Sequence, residues 1–337
     1  MYKKVVVKGM LLFCACQLLW GKTVTCEASG ETVTYEKTDF DGTIRTELEK
    51  VKEPGFIYTV NTDGSGSFTS IAEALEQTSG NATFVIYPGV YEAYLDILDR
   101  EVNLIGIDKN DCILQADTKN YFYVPLNIAA GRFTNLTICG YNARSEEEYY
   151  DCIKKIEEFG RGKNLTESEA IARANMYPGY AIHIDNSYAK EHDIVFENCD
   201  IISGNNACVG IGSMPDSSIT FTNCSFTNTG KSGCIYFHNS ASMDNIGNSY
   251  FNLIDCNLYV RNPNNAIFLE SVCEDNVVYI TSQNVKLYDL AAEEKKDVEI
   301  CVVNEEKSED PEDLCGLVSF VLTGESYGNS ITALNSK

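Results

Sequence analysis

The stretch Tyr58–Gly106, YTVNTDGSGSFTSIAEALEQTSGNATFVIYPGVYEAYLDILDREVNLIG, decides the fold. It reads as a strand, a glycine turn, one capped helix, and then short strands that never alternate with further helices. Ser70 and Glu73 have capping-box spacing for a helix over Ser70–Thr78, and Ile71, Ala74 and Leu75 form its apolar stripe. Gly64 and Gly66 permit the tight turn ahead of it. A phosphate-binding glycine loop would continue into Lys-Ser/Thr, which is missing here. One helix ahead of a train of strands is how a right-handed parallel β-helix begins, with the helix plugging the first coil.

From Val85 onward one phrase recurs: Phe133-Thr-Asn-Leu-Thr-Ile138, Phe196-Glu-Asn-Cys-Asp-Ile201, Phe221-Thr-Asn-Cys-Ser-Phe226 and Leu253-Ile-Asp-Cys-Asn-Leu258. Cys199 and Cys224 are 25 residues apart, Cys224 and Cys256 are 32 apart. Strand repeats of this period mark a β-solenoid, whose coils bury their apolar faces only by stacking. Asn135, Asn198, Asn223 and Asp255 share one position in the phrase and predict a structural polar ladder along the stack. The expected fold is therefore all-β: a right-handed single-stranded parallel β-helix with an N-terminal capping helix and a helical insertion.

The rest of the chain is organised around that repeat. Residues 1–28 resemble an export signal: Lys3 and Lys4, an apolar stretch from Val5 to Trp20, and a small-residue pattern at Cys26-Glu27-Ala28. The apolar run is too short for a membrane span, and Phe13-Cys14-Ala15-Cys16 keeps a lipid-anchored alternative to the secreted one. Residues 29–54 read as a polar leader without clear period, and residues 55–337 as the β-helix. Within it, residues 141–179 are charged and helical in period. Ser145 is one cap there, Thr166 with Glu169 another, and Pro178-Gly179 is the stop. Residues 291–316 read as an acidic loop region, with strand character returning over Leu317–Leu322.

The 337 residues carry a net charge of −23, which argues against nucleic acid and anionic lipid as partners. It also disfavours a polyanionic glycan, whereas a neutral or ester-capped one meets no such barrier. The fourteen cysteines suggest disulfides in an exported chain, but Cys199, Cys224 and Cys256 fall at one apolar-flanked point of the repeat. Stacked free thiols acting as small core hydrophobes fit that placement. No zinc-type CxxC spacing occurs, so neither a structural metal nor a cofactor is expected.

A second phrase lies between the first ones: Ala181-Ile-His-Ile-Asp185, Cys208-Val-Gly-Ile-Gly212, Cys234-Ile-Tyr-Phe-His238 and Ala266-Ile-Phe-Leu-Glu270. Strand alternation turns the β-branched, Leu and Phe237 positions inward and stacks their neighbours in two outer columns. One column runs His183, Gly210, Tyr236, Phe268; the next runs Asp185, Gly212, His238, Glu270. Imidazoles, carboxylates, aromatic rings and a glycine floor suit sugar binding and proton transfer. Glu270 and His238 are the expected acid/base pair, with Asp185 about two coils, roughly 10 Å, from His238. His183, Asn206, Tyr236 and Phe268 are the expected substrate-binding residues. His192, in a charged turn, reads as surface.

DGSGSF, IAEAL, IYPGVYEAYL and LIGID, in that order within Ile57–Ile138, resemble the opening of the pectin methylesterases. That resemblance implies a secreted parallel β-helix whose groove holds two catalytic aspartates, oxyanion-stabilising glutamines and an orienting arginine. The motifs for that chemistry are not matched. Gly204-Asn205-Asn206-Ala207-Cys208 stands where gly-tyr-gln-asp-thr is expected, with only Asn206 able to imitate a glutamine. Cys234-Ile235-Tyr236-Phe237-His238 stands for asp-phe-ile-phe-gly, and the sole tryptophan is Trp20. The expected protein is a pectinesterase-like monomer that binds a plant cell-wall polysaccharide and is a candidate for hydrolysing an ester or glycosidic bond in it. The alternative is a non-catalytic glycan-binding or surface-structural β-helix.

Overall fold

The computed structural model describes residues 24–28, 31–35, 40–52, 54–116, 124–140, 180–184, 193–204, 206–211, 216–230, 232–237, 248–261, 266–270, 277–296, 299–303, 319–323 and 332–336. The expected export signal up to residue 23 and the expected helical insertion at 141–179 lie outside the described residues. The chain falls into two units, residues 1–46 and 47–337. In the first, Val24–Ala28 pairs antiparallel with Glu31–Tyr35, across the small-residue pattern at Cys26-Glu27-Ala28.

Residues 29–54, expected to be a leader without period, contain a helix. Helix α1 (Gly42–Glu49) starts where the Asp41 carboxylate accepts the N–H groups of Thr43 and Ile44 at 2.9 and 3.0 Å. Its apolar residues are only Ile44 and Leu48, one turn apart, with Val51 just past its end, so the amphipathic period is short and easily missed. All three side chains are buried.

In the second unit the chain winds through three sheets, parallel throughout except for one strand at the end of sheet 2. Sheet 1 begins with Phe56–Val60, Ala82–Ile86 and Val102–Gly106, sheet 2 with Gly89–Ala93 and Cys112–Ala116, and sheet 3 with Leu95–Ile97 and Leu126–Ile128. Among the described residues, sheet 1 has nine strands and sheets 2 and 3 have eight each, with successive coils as neighbours in every sheet. Strand follows strand in the order sheet 1, sheet 2, sheet 3, so each coil is one superhelical turn. The predicted parallel β-helix is the observed architecture.

Helix α2 (Ile71–Gln77) sits at the first coil, with Ile71 and Ala74 in the main core and Leu75 packed against it. Ser70 caps it, its Oγ accepting the Glu73 N–H at 3.1 Å. The return bond of the predicted capping box goes one residue further back: Glu73 Oε2 accepts from Thr69 N–H at 3.2 Å and from the Thr69 hydroxyl at 2.9 Å. At the other end the Arg100 guanidinium donates to the carbonyls of Leu75 and Thr78 at 2.8 and 2.9 Å, satisfying the acceptors a helix C-terminus leaves open.

The recurring Phe-x-Asn-Cys-x-Ile phrase builds the corner between sheets 1 and 2. Asn135, Asn198, Asn223, Asp255 and Asn284 all hold φ between 52° and 55°, the left-handed region that Asn and Asp tolerate best among residues with a Cβ. Their side chains bond coil to coil. Asn198 Nδ2 donates to Asn135 Oδ1 at 2.7 Å, Asn223 Nδ2 to Asn198 Oδ1 at 3.2 Å, and Asn284 Nδ2 to Asp255 Oδ1 at 2.7 Å. The next residue points into the core. Cys199, Cys224 and Cys256 are buried free thiols whose Sγ donate to the carbonyls of Phe133, Phe196 and Phe221 in the coil before. Burial pushes the Cys224 thiol well up. Phe133, Phe196 and Phe221 stack alongside, with centroids 4.9 and 4.7 Å apart.

Outside the core, Arg132 and Glu197 form an ion pair in sheet 1, joined by Lys50, which lies 2.7 Å from Glu197 and 2.9 Å from Glu47. Desolvation opposes ionisation of Glu197, but bonds to Lys50 and the charge of Arg132 outweigh it and leave its pKa lowered. At the far end, residues expected to form an acidic loop supply two strands. Glu294–Lys296 reverses to pair antiparallel with Lys286–Asp289, and Glu299–Val303 joins sheet 3. The run Ile-Cys-Val-Val at 300–303 is apolar enough to be strand despite its charged surroundings. Ser319–Thr323 follows in sheet 1, as expected for that stretch.

Asn198→Ala puts an unfavourable Cβ at φ 54° and removes two ladder bonds, so it costs on the order of 2 kcal/mol in unfolding free energy. Asn198→Gly, which keeps the backbone and loses only the bonds, costs about half as much; urea titration of both compares them. A lowered folded pKa means that Glu197 stabilises above its unfolded value of about 4.3 and that this contribution disappears as pH falls through the folded value. Melting temperatures of the wild type therefore drop more steeply on acidification below about pH 4.3 than those of Glu197→Gln.

Candidate functional site

Sheet 3 carries the first of the two expected columns in register; of the second only Glu270 is among the described residues. Ile182, Val209, Ile235 and Ile267 pair in sequence and are buried, and His183, Gly210, Tyr236 and Phe268 pair beside them on the other face. Phe268 and Glu270 are placed by strand register alone, Glu270 one residue beyond Leu269, which pairs with Phe237. Asp185, His238 and His192 lie outside the described residues.

The column extends two coils further than the sequence reading took it. His183 pairs with Asn127, and Asn127 with Asp96. These side chains are hydrogen-bonded in a line: Asn127 Nδ2 donates to Asp96 Oδ1 at 2.8 Å, and His183 Nδ1 lies 2.8 Å from Asn127 Oδ1. A carboxylate only accepts, so the amide must turn its NH2 to Asp96 and its oxygen to His183. His183 Nδ1 then carries a proton. Asp96 and Asn127 were missed although each sits between two inward apolar residues, as His183 does: Leu95-Asp-Ile97, Leu126-Asn-Ile128, Ile182-His-Ile184. That three-residue pattern was the available signal.

The sequence reading left a glycine-floored hollow in this face. The structure fills it. The Tyr180 ring lies over Gly210, where an added Cβ would stand 2.8 Å from the ring, and it stacks on His183 with centroids 6.1 Å apart and planes at 23°. Tyr180, Val124 and Ala207 form a small buried cluster, with Tyr236 packed against it. His183 is 6% exposed as a result, so its ring is a wall of the site more than a surface group. Asp96 is exposed and Tyr236 half-buried.

Asn206 is also enclosed. Its Oδ1 accepts the Ala207 N–H at 2.9 Å, and its backbone carbonyl accepts from the Ser203 hydroxyl at 2.7 Å and the Asn228 amide at 2.6 Å. At the two positions where the resemblance calls for aspartates stand Ala207, 1% exposed, and Cys234, fully buried. Burial pushes the Cys234 thiol well up, and it donates towards the carbonyls of Phe226 and Tyr259. A thiol held protonated inside the core is not a nucleophile.

Sheet 2 offers a contrasting aromatic pair. Tyr259 and Tyr288 stack on each other at 4.8 Å and 12°, and Lys295 Nζ lies 5.7 Å from the Tyr288 centroid. The Tyr288 ring thus lies between Tyr259 and that cation. Among the described residues no group of three or more His, Cys, Asp and Glu side chains can hold a metal ion, and no helix is long and apolar enough to cross a membrane.

The chain is similar in fold to pectin methylesterases. PemA from Erwinia chrysanthemi matches at 12% identity and a TM-score of 0.39, over 83% of this chain and 93% of that one. The Yersinia enterocolitica enzyme matches at 12% identity and 0.37, over 79% and 94%, and the carrot enzyme at 10% and 0.33, over 84% and 89%. No protein-family model and no curated protein sequence matches the chain. At such identities the likeness is one of fold.

Gly210→Ala forces the Tyr180 ring off its seat, because its neighbour at 2.8 Å is a rigid aromatic face. The expected result is a loss of about 2 kcal/mol in stability with the ring exposed, read by urea titration and by solvent quenching of tyrosine fluorescence. Gly210→Ala combined with Tyr180→Ala costs less than the sum of the two single changes, because the clash is gone once the ring is removed.

Proposed function

We propose that this protein is an exported β-helix that binds a plant cell-wall type polysaccharide along the outward column of sheet 3, without the ester chemistry of the pectin methylesterases. One observation carries the reading: Asp96, Asn127, His183 and Tyr236 lie in a single in-register column, hydrogen-bonded at one end and aromatic at the other. A polar rail beside an aromatic side chain, on a rigid sheet, has the chemistry that sugar rings need: hydroxyl partners and an apolar surface. Ala207 and Cys234, buried at the two aspartate positions, argue against a carboxylate nucleophile. The export signal read in the sequence supports an extracellular setting for such a ligand.

A hydrolytic reading rests on a separate observation. Glu270 ends a strand of the same sheet, one step beyond the Phe237–Leu269 pair. In that reading Glu270 and His238 are the acid/base pair, Asp185 is their partner, and Phe268 and Asn206 line the bound sugar.

Electrophoresis through gels containing methyl-esterified pectin tests binding. Retardation of the wild type, weakened about tenfold by Tyr236→Ala, is the expected result, since an aromatic contact in a sugar site is worth on the order of 1–2 kcal/mol. Methanol release at the rate of buffer alone is expected in the same samples. Retardation by no cell-wall glycan defeats the proposal. Release of reducing ends that is abolished by Glu270→Ala replaces it with the hydrolytic reading.

A further inference from the structure

We infer that Asp96 and Asn127 form a separate hydroxyl-binding subsite at the N-terminal end of the column, held in shape by His183, and that it selects neutral or ester-capped sugars over free uronates. The inference rests on the glycan-binding reading and names the ligand class within it.

Asp96 is exposed, and among the described residues its carboxylate accepts a hydrogen bond from Asn127 alone. Its remaining lone pairs face outward and can only accept. A ligand meeting them must bring donors, which sugar hydroxyls supply and a carboxylate does not. Asn127, one coil along and about 4.8 Å away, uses one N–H on Asp96 and one lone pair on His183, keeping a donor and an acceptor. Side by side the two residues can engage neighbouring hydroxyls of one sugar ring, with the carboxylate accepting and the amide doing either.

The charge points the same way. Within the described column Asp96, Asn127, His183, Gly210, Tyr236 and Phe268 include one carboxylate and no Lys or Arg, on a chain of net charge −23. A free uronate placed here meets repulsion and no cation to offset it. Methyl esterification removes that repulsion while leaving the hydroxyls in place.

His183 acts through Asn127. Its Nδ1–H fixes the amide oxygen, and the stacked Tyr180 ring fixes the imidazole, so the NH2 group is aimed at Asp96 before any ligand arrives. Pre-orientation of this kind spares the ligand the cost of ordering the amide. His183 is accordingly a positioning residue.

The test is isothermal titration of the full chain with highly methyl-esterified pectin and with polygalacturonate made from it by saponification. The wild type is expected to bind the esterified polymer at least tenfold more tightly. Asp96→Asn, an isosteric change at an exposed position, is expected to weaken that binding about tenfold and to narrow the preference, because hydrogen bonds to a charged acceptor are the stronger kind. His183→Leu weakens binding similarly, whereas His183→Asn, whose amide nitrogen can stand where Nδ1 does, restores it; a purely structural role would not separate these two. Unchanged binding in Asp96→Asn, with Tyr236→Ala still impaired, overturns the subsite and leaves the glycan-binding reading standing. Equal or tighter binding of polygalacturonate by the wild type overturns the selectivity, and binding of neither polymer removes both.

Discussion

The left-handed residue at five corners between sheets 1 and 2, from Asn135 onward, is the constraint on which the geometry of those coils depends. A chain leaving sheet 1 must change direction within one or two residues and still deliver an inward-facing side chain to sheet 2. Asn135, Asn198, Asn223, Asp255 and Asn284 do this at φ near 54°. The first four also give their N–H to the next coil, as Asn198 N does to the Thr222 carbonyl at 3.0 Å and Asn223 N to the Ile254 carbonyl at 2.9 Å. A corner that slipped by one residue would exchange the two faces of the following strand. From the coil of His183 onward, register in sheets 2 and 3 is inherited from this turn, whereas the coils of Asp96 and Asn127 turn at residues 87–88 and 107–111 without a left-handed residue and are aligned with His183 by the parallel pairing of their own strands.

The residue after each corner shows how tightly that register is filled. Leu136, Cys199, Cys224, Cys256 and Val285 occupy one buried position in successive coils. Three of the five are thiols, each small enough to sit under the corner and able to donate weakly to a carbonyl of the preceding coil. The phenylalanine stack beside them supplies the bulk that cysteine lacks. Thiol and ring are complementary in volume, which is why the two recur together in the repeated phrase.

This also explains what was legible in the sequence. The corner asparagine, the buried position after it and the alternating inward residues are local and repeated, so Phe196-Glu-Asn-Cys-Asp-Ile201 states its own geometry four times over. The columns of sheet 3 follow from the same alternation. Tyr180 over Gly210 was not legible, because nothing in residues 180–184 says that a ring would fold onto a glycine thirty positions later. Nor was the linkage of Lys50 to Glu197, which joins residues 147 positions apart through charge and carries no periodic signal. Helix α1 was hidden by its sparse apolar residues, and the strand at Glu294–Lys296 by its charge. Asp96 and Asn127 did obey the local pattern. They were passed over because Tyr94 and Pro125 stand where the recurring phrase opens with the small residues Ala181, Cys208, Cys234 and Ala266.

Burial of His183 changes what the face can do. An exposed imidazole in this position would be a natural proton carrier, but this one is pinned between the Tyr180 ring and the Asn127 amide. The same packing removes freedom from its neighbours: Tyr180 is held with Gly210 beneath it and His183 beside it, and Tyr236 packs against the cluster that Tyr180 makes with Val124 and Ala207. Rigid groups lose little entropy when a ligand arrives, so a site built this way gains affinity for a matching shape and gives up the mobility that proton transfer would need. The described end of the outward column of sheet 3 is for that reason a rigid face.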